Sequence, residues 1–146
     1  PDDVNERFPV YKIDDPYNME KYDPPASAGL KAWCWIQLVI LLGFISYFFA
    51  RLAHINQLDH AYIYLYGLFI FVSVYALTEL MDRHPYAWAA ELVKAGFGAY
   101  LLYLQPDWFG LSDWLPMSGY LVGSYLLLSL AGTVVWTSQK VVGNRF

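Results

Sequence analysis

The sequence predicts an all-α fold: a polytopic membrane protein with four transmembrane helices and an extended N-terminal connector. Three observations predict it. The 146 residues are 58% hydrophobic and 19% aromatic. Only 15% are charged, against about 25% in an ordinary soluble domain. Apolar stretches near the roughly 20 residues that a span requires recur between short polar connections.

The formal net charge of −4 is unevenly spread. Up to Gly29 there are seven acids (Asp2, Asp3, Glu6, Asp14, Asp15, Glu20, Asp23) and three bases (Arg7, Lys12, Lys21), so the remainder is neutral overall. No basic patch suggests nucleic acid, and no polybasic run beside a span suits anionic head groups. The single Cys34, between Trp33 and Trp35, has no intrachain partner and reads as packing. The chain opens with Pro1 and shows no positively charged leader before a short apolar region, so a fragment or a processed chain is expected.

Residues 1–29 form a polar connector in which Pro9, Pro16, Pro24 and Pro25 deny any long helix. Phe8, Tyr11, Tyr17 and Tyr22 suggest that it lies against the membrane surface or a preceding domain. Residues 30–146 form the four-helix transmembrane domain. Ser27 is placed to cap its first helix. The first span, Leu30 to Leu52, has an uncharged core from Ala32 to Ala50 that covers about 28 Å at 1.5 Å per residue, close to the hydrocarbon thickness. Lys31 and Arg51 bracket it, Trp33 and Trp35 mark one interface, and Tyr47 lies near the other. A short polar turn around His54, Asn56, Asp59 and His60 leads to the second span, Ala61 to Leu80. The third runs from Tyr86 to Leu104 with Pro85 at its first turn, where a missing N–H does no harm. Gln105 to Pro116 reads as an interfacial loop, and Met117 to Trp136 as the fourth span, followed by a tail with Lys140 and Arg145.

Within the third span, Glu91 and Lys94 share a helical face and can pair in one helix. Each ion alone at a bilayer centre would cost about 2.5–3.5 kcal/mol. Either the pair marks a lipid or ion pathway, or it fixes helix packing together with Gln37, the only strongly polar side chain of the first span. Ala87, Ala95 and Gly98 extend that face with small residues that admit a neighbouring helix, and Gly96-x-Gly98 reads as helix packing. Asp82, Arg83 and Pro85 belong to a tight hairpin at an interface, where a solvated turn is the plain explanation. His54 and His60 match no metal signature, and no catalytic elbow, phosphate loop or CxxC occurs.

Two stretches resemble the C-terminal membrane part of alkylglycerol monooxygenase and its bacterial relatives in the fatty acid hydroxylase/sterol desaturase superfamily. One is LKAWCWIQLVILLGF, Leu30 to Phe44, with Leu30, Lys31 and Gln37 at matching spacing. The other is LMDRHPYAWAAELVK, Leu80 to Lys94, where Asp82, Pro85, Ala87 and Glu91 are in step and Lys94 stands where an arginine is expected. The resemblance implies a membrane di-iron oxidoreductase that hydroxylates lipid, with tetrahydrobiopterin as reductant in the ether-lipid branch. The iron motifs of that family, His-x-x-x-His and His-x-x-His-His, do not occur in this sequence. No catalytic or metal residue is therefore expected here. The expected role is a non-catalytic segment that anchors an N-terminal catalytic domain in the lipid bilayer and shapes lipid access. A free-standing small transporter, channel subunit or assembly scaffold is the alternative.

Orientation follows from the basic residues. Arg7, Lys12, Lys21, Lys31, Arg83, Lys140 and Arg145 fall on one side of the expected topology, and only Arg51 ends a span on the other. The positive-inside rule then makes both termini cytoplasmic. Cysteines introduced by Asp3→Cys and Asn144→Cys should be labelled from the same compartment; labelling from opposite compartments overturns this topology.

Overall fold

The computed structural model describes Tyr17 and residues 27–143, with side chains as far as residue 138. All but Tyr17 of the expected connector up to Ala26, and Arg145 of the tail, lie outside the described residues. Helix α1 spans Ala28–Ala50, α2 Leu52–Leu58, α3 His60–Met81, α4 Ala87–Leu104 and α5 Ser118–Gly143, with a 3-10 turn at Leu111–Asp113. The segment is all-α and membrane-embedded. Three of its helices are long and apolar enough to cross a membrane: α1, α3 and, within α5, Ser118–Ser138. Helix α4, with 18 residues and both Glu91 and Lys94, is not among them. The expected set of four spans is thus matched as four long helices, three of which qualify by length and composition. Large apolar side chains such as Val39, Phe49, Phe71, Leu127 and Leu128 point outward, as they do where hydrocarbon is the solvent.

The ends of the helices follow local chemistry. The Leu30 N–H donates to Ser27 Oγ at 3.2 Å, the expected cap of α1. The stretch expected as a polar turn is instead helix α2, tied to α1 through Arg51 and anchored by the fully buried Ile55. Asp59 then caps α3, its Oδ1 accepting the Ala61 N–H at 2.9 Å. At the far end of α3 the His84 N–H reaches Glu79 O and the Arg83 N–H reaches Leu80 O, which closes the helix with Arg83 at φ 57°. This is the left-handed closure that glycine usually makes. Pro85 lies in the turn before α4 and not in its first turn, because Tyr86 is the N-cap. Helix α5 continues through Lys140, beyond the expected end at Trp136.

The short hairpin makes α3 and α4 antiparallel, and packing proceeds from α1 to α3, α3 to α4 and α4 to α5. Small residues let these helices approach, as in other membrane bundles. A Cβ on Gly98 would stand 2.6 Å from Leu126 and 3.1 Å from Phe69. Gly96 by contrast faces open space, so only the second glycine of Gly96-x-Gly98 serves packing. Helices α1 and α5 close on each other through a reciprocal contact, with Trp33 over Gly132 and Trp136 over Gly29. Trp33 is therefore a packing residue, while Trp35, 67% exposed, keeps the outward position expected of it.

The loop after α4 departs furthest from expectation. Trp108 and Phe109, expected at an interface, are fully buried. Trp108, Phe109 and Gly110 adopt φ of 52°, 57° and 87°, a left-handed run that turns both rings inward. Left-handed non-glycine residues cost about 1–3 kcal/mol each and persist where the surroundings hold them. Here Trp108 Nε1 donates to Tyr66 OH at 3.2 Å, Tyr66 OH donates to Phe44 O at 2.8 Å and Tyr47 OH donates to Phe109 O at 3.0 Å. Phe44, Phe69 and Tyr66 meet the Trp108 ring edge-on at 5.0–5.5 Å.

Where α5 begins, a Cβ on Gly119 would lie 2.0 Å from the Pro106 carbonyl oxygen, a backbone atom that cannot rotate away. Gly119→Ala should lower stability in detergent by about 1–3 kcal/mol, the usual cost of overpacking. Gly67→Ala, with nothing within 4 Å of the added carbon, should raise it by about 0.5–1 kcal/mol. Thermal melts of both variants check the pair; equal shifts refute the packing account.

Candidate functional site: a polar cluster inside the bundle

Glu91 stands one turn inside α4, and the three-residue spacing brings Lys94 onto the same face. The Lys94 ammonium lies 2.5 Å from Glu91 Oε1, and both side chains are 3% exposed. The pair would be isolated in hydrocarbon if α1 and α5 did not bring polar groups to it. Lys94 Nζ donates to Ser129 Oγ at 2.9 Å and Tyr125 OH at 3.1 Å, and approaches Gln37 Oε1 at 3.4 Å. The same ammonium stands 5.1 Å from the centre of the Tyr125 ring, where a cation is attracted by the ring face. Tyr125 OH donates to Gln37 Oε1 at 2.9 Å. The Ser129 hydroxyl carries one proton and faces two acceptors, Gln37 Oε1 at 3.0 Å and Glu91 Oε1 closer still.

The cluster is charge-neutral and inward-facing: one carboxylate, one ammonium, one amide and two hydroxyls from three helices. Lysine suits it, because three tetrahedral N–H groups meet Glu91, Ser129 and Tyr125 at their shortest distances, with Gln37 a fourth neighbour. A planar guanidinium distributes its donors differently. Tyr125 and Ser129 went unread in the sequence. Their signal is the four-residue series Tyr125, Ser129, Thr133, Thr137 along the last span, of which Ser129, Thr133 and Thr137 are buried. Thr137 Oγ1 donates to Thr133 O. The hydroxyl of Thr133 and Trp33 Nε1 have no hydrogen-bond partner among the described residues.

The hairpin candidates stay apart from this cluster. Asp82 and Pro85 are exposed, and Arg83 is half-buried in the turn, its Nε without a partner among the described residues. The hairpin's His84 Nδ1 lies 3.1 Å from Glu79 Oε2 and 3.2 Å from the Tyr86 N–H nitrogen. His54 and His60 stand at the opposite end of α3, a helix of 22 residues and therefore about 33 Å long. Among the described residues no group of three or more His, Cys, Asp and Glu could hold a metal ion. The described side chains do not fit a di-iron centre.

Removing one partner of a buried pair leaves an uncompensated charge, at a cost of about 3–5 kcal/mol. Glu91→Leu should therefore destabilise the protein by about that amount, and the double change Glu91→Leu with Lys94→Leu by less. A double-mutant cycle in detergent measures the coupling; unchanged stability in both would show that the pair carries no packing energy. Comparison of the chain with family models, curated proteins and solved structures finds no match.

Proposed function

We propose that this chain is the non-catalytic membrane segment of a longer lipid-modifying oxygenase of the fatty acid hydroxylase/sterol desaturase type. In this reading α1, α3, α4 and α5 all cross the bilayer and both ends face the cytoplasm. The segment anchors an N-terminal catalytic part, which supplies the histidines for a di-iron centre and, in the ether-lipid branch, the site for tetrahydrobiopterin. Lipid access to that centre is a second contribution of the same helices.

The observation that carries the reading is the convergence of the two resembling stretches. Gln37 comes from Leu30 to Phe44 and the ion pair from Leu80 to Lys94, yet Lys94 Nζ lies 3.4 Å from Gln37 Oε1 and both belong to one buried cluster. Two of the residues that carry the likeness, Gln37 and Glu91, thus belong to the cluster that joins α1, α4 and α5. A pathway would leave the ions room to exchange partners with water or cargo. Here Glu91 and Lys94 are enclosed and mutually engaged, which favours an anchoring scaffold over a transporter or channel subunit.

The test uses the full-length protein with and without residues from Leu30 onward, and this chain alone. Truncation should lower lipid hydroxylation at least tenfold in a protein whose catalytic part still folds and binds iron, and this chain alone should bind no stoichiometric iron. Full activity after truncation, or one to two iron equivalents in this chain, refutes the assignment. Lack of histidine clusters in the gene upstream of Pro1 refutes it as well.

A further inference from the structure

Helices α1 and α5 touch through Trp33 on Gly132 and Trp136 on Gly29, near the end of the bundle where α1 starts. Toward the other end an apolar groove of about 570 Å³ opens between them, lined among others by Gly43, Phe44 and Tyr47 of α1, Leu121 and Tyr125 of α5, and Trp108. Along α1 the lining runs from Ile40 to Ala50, which is about 15 Å at 1.5 Å per residue. That is half of a hydrocarbon core roughly 30 Å thick, the depth of one leaflet.

Gly43 is the second observation. Glycine is among the least favoured residues in a helix interior, yet Gly43 sits in the middle of α1 with nothing within 4 Å of a Cβ built on it. No described neighbour requires its small size; the same holds for Gly67 and Gly96, but of the three only Gly43 lines the groove. The open space belongs to the groove.

The mouth supplies the third. Arg51, next to Ala50, pairs with Asp113 at 2.8 Å, and its guanidinium stands 5.8 Å from the Trp114 ring centre. Asp113 is 63% exposed, and Arg51 Nε has no hydrogen-bond partner among the described residues. A cation and an anion side by side with an aromatic ring complement a phosphate and an ammonium at head-group depth.

We infer that the groove between α1 and α5 holds one acyl chain of a zwitterionic glycerophospholipid from the leaflet on the Arg51 side, with its head group over Arg51 and Asp113. The inference rests on membrane embedding and stands apart from the oxygenase reading.

The test is lipid retention. The chain, its Gly43→Leu variant and its Gly67→Leu variant are reconstituted in nanodiscs of palmitoyl-oleoyl phosphatidylcholine, extracted in mild detergent and weighed intact by native mass spectrometry. Both substitutions enter open space, but only Gly43 lines the groove. The wild type and Gly67→Leu should each retain one phospholipid per chain, and Gly43→Leu should retain at least fivefold less. If Gly43→Leu does not fold, Leu121→Trp, on the facing wall and 53% exposed, takes its place with the same expected loss. Equal retention in all proteins, or none in the wild type, overturns the proposal. A wild-type dimer that dissociates in Gly43→Leu also overturns it and assigns the groove to a second copy.

Discussion

Buried between helices, a charged side chain has no solvent to fall back on, so the Glu91–Lys94 pair must be satisfied by the protein itself. That requirement fixes the rotation of three helices at once. Helix α4 must present Glu91 and Lys94 inward, α1 must turn Gln37 toward them, and α5 must bring Tyr125 and Ser129 to the same point. Apolar surfaces alone would not select these rotations, because lipid tails solvate Leu and Val as well as another helix does. The polar contacts supply directionality, and Gly98 and the Trp–Gly contacts supply closeness.

Helix α3 is held by other means. Its Tyr66 and Phe69 are fully buried against Trp108 and Phe109 from the loop before α5. The bundle thus has two joints, a polar one toward the hairpin end and an aromatic one toward the Arg51 end. The second depends on a left-handed backbone run, and its hydrogen bonds tie α1, α3 and the loop together through Phe44, Tyr66, Trp108, Tyr47 and Phe109.

Much of the fold was legible in the sequence, for physical reasons that differ by element. Span length and apolarity revealed the long helices, and the cap at Ser27 and the Glu91–Lys94 pairing follow from local spacing. The partnership with Gln37 was legible because few polar groups exist in the spans. Tyr125 and Ser129 were not, since a hydroxyl in a membrane helix can also turn back on its own backbone, as Ser73 does onto Phe69 O at 2.7 Å. The burial of Trp108 was hidden for a related reason. An aromatic beside Pro and Asp normally signals an interface, and only tertiary packing decides that this one faces inward. A lysine at position 94 takes its meaning from the partners set around its ammonium, which no linear spacing displays.

The three-residue spacing of the ion pair also bears on how the chain is made. Glu91 and Lys94 leave the ribosome before α5 does, so α4 forms while Tyr125 and Ser129 are still being synthesised or are not yet in place. Because the two charges neighbour each other on one helix, they can neutralise each other within that helix from the moment it forms. A pair split between α4 and α5 would leave a bare ion waiting in the bilayer or the translocation machinery. Placing both charges on one helix makes insertion sequential, with the cross-helix hydrogen bonds added only when the last helix arrives.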